Sequence, residues 1–116
     1  MRVTPEELRD ICRSLPGAVE TYPFSEGVAA YKVEGKIFAI SRLEGSPFQV
    51  SLKCEPELAE QLRATHEAIR PGYHLNKRHW NTITLDGSLP DKLVRELIED
   101  SYDLVVDALP SRLRPA

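Results

Sequence analysis

Phe48-Gln49-Val50-Ser51-Leu52-Lys53 alternates apolar and polar side chains without interruption. Successive side chains of a strand point to opposite faces, so a period of two marks a sheet with one buried and one wet side. Upstream, Val28 to Val33 and Lys36 to Leu43 read as two further strands joined at Glu34-Gly35, a hairpin signal. Downstream, Trp80 to Leu85 reads as a fourth strand that ends at the Asp86-Gly87 turn. Helical periods flank these strands. Thr4 is placed as an N-cap, with Pro5 in the first turn and Glu7 completing a capping box. Leu8, Ile11, Cys12 and Leu15 then recur on one helical face until Pro16-Gly17 stops it. Pro56 opens a short helix to about Arg63, with Leu58, Ala59 and Leu62 inward. Pro90 opens the longest helix, in which Leu93, Val94, Leu97, Ile98, Tyr102, Val105 and Leu109 keep helical spacing up to Pro110. Tyr22-Pro23-Phe24 reads as part of a connector and Arg70-Pro71-Gly72 as a break. Strands in hairpin order flanked by helices predict an α+β domain, an antiparallel sheet with helices packed on one face.

The chain of 116 residues, 41% hydrophobic and 28% charged, has the size and balance of one globular domain over 1–116, with 110–116 a loose tail. No apolar run approaches the ~20 residues that cross a bilayer. The acidic start after Met1-Arg2-Val3 lacks the apolar core of a secretory signal. Cys12 and Cys54 form no CxxC and read as free thiols, which fits a reducing cytoplasm.

The net charge of −3 argues against a protein that coats nucleic acid through bulk charge, yet the charges are segregated. Residues 86–107 carry seven acids against Lys92 and Arg95. Residues 63–80 carry Arg63, Arg70, Lys77 and Arg78 against Glu67 alone, with all three histidines. The densest stretch is Gly72-Tyr73-His74-Leu75-Asn76-Lys77-Arg78-His79-Trp80-Asn81, which has no carboxylate. Phosphate recognition wants cations and amide donors, and unpaired bases want flat aromatic faces. If Ile83 and Leu85 point to the core, alternation turns Trp80, Thr82 and Thr84 to the opposite face. Trp80 is then either an exposed stacking ring or a cap on the core edge. The candidate binding residues are Lys53, Arg70, Tyr73, His74, Asn76, Lys77, Arg78, His79 and Trp80. Their ligand is DNA or, in the alternative, a small anionic molecule in a pocket lined by the Tyr73, His74, Asn76 and His79 set.

Other chemistries find less support. His74 and His79 are five apart and His66 lies eight before His74, spacings that match neither a helical ligand pair nor a zinc finger, so no metal is expected. Ser101 lies inside a helix without a glycine elbow, between the solvated acids Asp100 and Asp103. Cys54 reads as a small buried thiol. Six scattered glycines fit turns and build no phosphate-cradling loop. With no cofactor motif and no complete catalytic set, the reading is of a non-enzymatic protein.

The chain resembles the MmcQ/YjbR family of small bacterial proteins over nearly its whole length. The stretches that carry the likeness are Leu15-Pro16-Gly17-Ala18 with Tyr22-Pro23-Phe24, the Tyr31-Lys32-Val33 to Lys36-Ile37-Phe38-Ala39 hairpin, Leu52-Lys53-Cys54-Glu55-Pro56-Glu57, the block from Gly72 to Thr82, and Ser101-Tyr102-Asp103-Leu104-Val105. The resemblance implies a frataxin-like (CyaY-like) α+β fold and a DNA-binding role assigned to wing-like hairpins. It also implies, from fold analogy alone, metal handling at an acidic first helix bearing Glu6, Glu7 and Asp10.

Overall fold

The computed structural model of the protein describes residues 3–42, 48–72 and 75–115. Helix α1 (Pro5–Ser14) starts as its sequence requires, with the Thr4 hydroxyl accepting from the Glu7 amide at 3.1 Å and Pro5 in the first turn. The strands are β1 (Ala18–Ser25), β2 (Val28–Val33), β3 (Lys36–Arg42), β4 (Gln49–Lys53), β5 (Ile69–Pro71) and β6 (Trp80–Thr84). Helix α2 (Pro56–Thr65) lies between β4 and β5, and α3 (Asp91–Asp107) follows β6. The strands pair antiparallel throughout, in the order β1-β2-β3-β4-β6-β5. Among the described residues no helix is long and apolar enough to cross a membrane.

Two strands occupy stretches that read as irregular. The supposed connector is β1, and Pro23 falls where its pairing with β2 shifts between Thr21 and Ser25, the place an edge strand tolerates a missing amide donor. The supposed break at Arg70-Pro71 is β5, a short strand on the other edge, anchored by Ile69, which is buried opposite Ile83. Strand β6 ends at Thr84 rather than Leu85, although the Leu85 amide still donates to Phe48 at 2.9 Å. Leu58, expected inward, is exposed on α2, while Ala59 is buried. Past Pro110, where the sequence reads as a loose tail, Ser111–Leu113 form a 3-10 turn. The Arg114 guanidinium there donates to the Leu109 and Asp107 carbonyls.

All three helices cover one face of the sheet. Ala29, Ser41, Val50, Ile83 and Ile69 form one row across β2 to β5 on that side, every one of them buried. In α3, Val94, Leu97, Ile98, Tyr102 and Val105 supply the opposing layer. A β-bulge in β3, between the pairs Tyr31–Ala39 and Lys32–Ile37, leaves Phe38 as an extra residue turned toward the helices. Its ring meets Tyr102 edge-on at 5.4 Å and Tyr31 at 6.4 Å.

Ser101, in the middle of α3, is fully buried. Its hydroxyl donates to the Phe38 carbonyl at 2.5 Å and accepts from the Lys53 amide at 2.8 Å. β3 and β4 pair only over Ala39–Ser41 and Val50–Leu52, so this hydroxyl bridges the two strands just past their last ladder pair. A second polar cluster joins α1 to the sheet. Glu20 on β1 accepts from Arg9 at 3.1 Å, from Arg13, and from the Tyr31 hydroxyl at 2.8 Å. Burial alone would raise the Glu20 carboxyl, but the hydrogen bonds from Arg13, Arg9 and Tyr31 outweigh it and hold the group at about 2.

Ser101→Ala strands the buried Phe38 carbonyl and the part-buried Lys53 amide; a buried group left unpaired costs about 1–3 kcal/mol, so a loss of at least ~1 kcal/mol is expected in urea unfolding. A midpoint within error of the parent would refute the bridge. The Glu20 cluster predicts acid sensitivity of definite sign. A carboxyl held below its ordinary 4.5 contributes stability that is complete above that pH and is lost as pH falls toward about 2. Glu20→Gln therefore lowers the unfolding midpoint at pH 7, and the gap to the parent closes on acidification; a constant gap would count against the cluster.

Candidate functional site

The face away from the helices is set by register. One row, Thr21–Ala30–Ile40–Ser51–Thr82–Arg70, crosses all six strands. Two residues along on either side lie Val28, Arg42, Gln49 and Thr84, and Val19, Lys32, Lys53 and Trp80. Lys32, Arg42, Lys53 and Arg70 are cations, and no acid holds a register position on this face. The acids of α3 lie on the helix layer, where Glu96, Glu99, Asp100, Asp103 and Asp107 are exposed. Some acids do reach the rim. Glu67 and Asp86 share a shallow depression with Arg70 at the β5 edge, and Glu26 sits in the exposed β1–β2 turn.

The loop from Gly72 to His79 closes the β5–β6 hairpin at one end of this face. Asn76 organises it. Its side-chain oxygen accepts from the Arg78 amide at 3.0 Å, and its carbonyl accepts from the amides of His79 and Trp80 at 3.2 and 2.9 Å. The Lys77 ammonium donates to the Gly72 carbonyl at 3.3 Å, and Arg63 of α2 donates to the Lys77 carbonyl at 2.9 Å. The His79 carbonyl accepts from the Cys54 amide at 2.7 Å, which extends the β4–β6 ladder into the loop. Gly72 is where the loop crosses Trp80. A Cβ there would lie 2.7 Å from the Trp80 Cβ and 3.0 Å from its carbonyl oxygen, so only glycine fits without movement.

A cleft of ≈ 300 Å³ opens on the same face. It is lined by the apolar side chains of Phe24, Val28, Ile40 and Leu75 of the loop, together with Arg42 and Gln49. The Ser51 and Thr82 hydroxyls, 2.9 Å apart, form its polar centre, and Gln49 donates to Thr84 at 3.3 Å. Phe24 is 62% exposed.

The structure joins Lys53, Arg70 and Trp80 on one face, with Trp80 half-buried directly across from Lys53. It is neither a free stacking ring nor a core residue. Asn76, Lys77 and Arg78 are exposed in the adjoining loop, and His79 is half-buried. Tyr73 and His74 lie outside the described residues. Asn76 and Lys77 prove to be partly engaged in holding the loop, and neither Asn76 nor His79 lines the cleft. Asn81 turns to the helix side, buried, and donates to the Ala59 carbonyl at 3.5 Å. The sequence reading missed Phe24, Ile40, Arg42, Gln49, Ser51 and Thr82 as cleft residues. Alternation marked Gln49 and Ser51 as wet, but nothing local says that they share a cleft with Phe24. Neither cysteine is poised for nucleophilic attack. Burial pushes the Cys12 thiol up to about 12, and burial with the nearby Asp100 raises Cys54 as well. Glu7 of the first helix is engaged with Arg95 of α3 at 3.8 Å.

These features define a small α+β domain with an acidic helix layer and a cationic, cleft-bearing sheet face. The chain belongs to the YjbR family, whose model matches residues 13–104. It is 43% identical to the uncharacterized protein YjbR of Escherichia coli strain K12 over 113 residues, 97% of this chain and 95% of that protein. It is 36% identical to the uncharacterized protein YbdF of Escherichia coli O157:H7 over 108 residues, 92% and 88% of the two chains. A Deinococcus radiodurans crystal structure of the DUF419 family superposes with a TM-score of 0.91 at 40% identity, covering 96% of this chain and 85% of that one.

Gly72→Ala tests the close crossing. Overpacking of this kind costs about 1–3 kcal/mol. Because Trp80 is the single tryptophan, the variant should also shift the intrinsic fluorescence of the folded protein. Unchanged stability together with an unchanged emission maximum would show that the loop has room to spare.

Proposed function

We propose that the protein is a non-enzymatic, cytoplasmic DNA-binding protein that uses the open sheet face and the adjoining 70–81 segment. The observation that carries this reading is the placement of Lys32, Arg42, Lys53 and Arg70 on a face without a register-position acid, beside exposed Lys77 and Arg78, in a chain of net charge −3. Bulk charge repels a polyanion, so attraction has to come from such a local patch. Lysine and arginine heads supply phosphate contacts, and Trp80 supplies an aromatic edge beside them. Buried, protonated thiols at Cys12 and Cys54 fit a reducing compartment.

The frataxin-like kinship implied by the resemblance belongs to the same proposal, since it too sets helices on one face of the sheet. The alternative of a small anionic ligand held by Tyr73, His74, Asn76 and His79 draws no support from Asn76 and His79, which stand away from the cleft.

Fluorescence anisotropy of labelled DNA across a salt series tests the reading. Lys53, Arg70, Lys77 and Arg78 would neutralise about four phosphates, a slope of log affinity against log salt near −3 to −4. The Lys77→Ala/Arg78→Ala double variant should lose about half of that slope and much of the affinity. Binding indifferent to salt, or indifferent to the double substitution, would end the proposal.

A further inference from the structure

We infer that the cleft on the open face receives one unstacked base of a single strand, an inference that rests on the DNA-binding reading and specifies the form of the ligand. The size suits it. A cleft of ≈ 300 Å³ stands at the low end of the ~300–1,000 Å³ range of small-molecule pockets, room for one ring system. The walls suit it as well. Phe24 is 62% exposed, and Leu75 of the loop, Val28 and Ile40 line the cleft with it. Base–aromatic stacking tolerates any base because every base has a π-face.

At the centre, the Ser51 and Thr82 hydroxyls can each donate or accept. Bonded to one another, they give the cleft a polar centre and leave base recognition mainly to stacking, which predicts weak preference among bases. Paired bases in a duplex have both faces covered by their neighbours, so a base enters a recess in a sheet only after leaving the stack. Lys53 and Arg70 share the face with the cleft, Arg70 paired with the cleft residue Thr82 and Lys53 two residues along β4 from Ser51, so the same face carries cations for the phosphates of the strand. An apolar side chain from a protein partner would fill the walls but leave the cations of the face without a match.

The test compares a fluorescein-labelled single strand of roughly twelve nucleotides with its duplex, on the parent, Phe24→Ala and Leu75→Ala. Phe24 is exposed and Leu75 half-exposed, so both variants should fold, which a thermal unfolding curve on each would check. The single strand should bind the parent better than the duplex. Each variant should lose about tenfold in single-strand affinity with the salt slope unchanged, since stacking and not charge is removed. A 2-aminopurine placed in the strand should change its emission on binding the parent and much less on binding Phe24→Ala. Salt-dependent binding that ignores both substitutions, or equal affinity for duplex, would overturn the cleft inference while leaving the charged face as the DNA site. No binding by the parent even at low salt would overturn both. A dimer of the parent that dissociates in Phe24→Ala, with no strand bound, would assign the cleft to a second copy of the chain.

Discussion

One hydroxyl holds the layers of this protein in register. Ser101 sits inside an apolar helix face, where a polar group is costly unless it is paired. Both of its hydrogen bonds go to backbone groups of the sheet, the Phe38 carbonyl and the Lys53 amide. These two groups belong to different strands at the point where the β3–β4 ladder stops. The helix thus completes the sheet. Sliding or rotating α3 would unpair the hydroxyl and both backbone groups at once, which ties the helix to the strands that carry the Phe38 bulge and Lys53.

Helices on one side of the sheet leave the other side to its own residues and to the loops at its ends. A bare antiparallel face is normally polar and flat. Here it is not flat, because Phe24 and Leu75 rise from opposite ends of the sheet order to make a cleft. The central row is correspondingly well covered, with Ala30, Ser51 and Thr82 all buried although no helix packs on them. Charge follows the same division. Acids gather on the solvent side of α3 and cations on the strands, so a protein acidic in sum presents one face suited to anions.

Rigidity distinguishes the parts of the site. Lys53 and Arg70 extend from paired strands, and Trp80 is fixed by its pairing with Lys53 and by the glycine pressed against it. Within the described part of the loop beside them, residues 75–79, the Asn76 and Lys77 side chains bond to loop backbone, and Arg63 of α2 donates to the Lys77 carbonyl. Cations carried on paired strands lose little backbone entropy on binding, which favours contacts made by few residues.

Much of this was legible in the chain. The alternation from Phe48 to Lys53, the capped first helix, the Glu34-Gly35 turn, now seen with φ of 49° and 76°, and the stripe from Val94 to Leu109 are local signals that survive packing. Their strength comes from periodicity and turn chemistry, which need no partner to be read. The family block from Gly72 to Asn81 was visible too, but not the division of labour within it, in which Gly72 admits the crossing, Asn76 folds the loop, Trp80 faces out and Asn81 faces in. Edge strands β1 and β5 were hidden because Pro23 and Pro71 break propensity and only neighbouring strands supply their reason to extend. Register was hidden as well. The sequence alone determined the alternation of faces on the central strands; only the tertiary structure, by bringing six strands into one row from Thr21 to Arg70, decided that Ile40, Ser51 and Thr82 share a cleft with Phe24, because hydrogen-bond pairing between strands far apart in the chain sets what lies beside what.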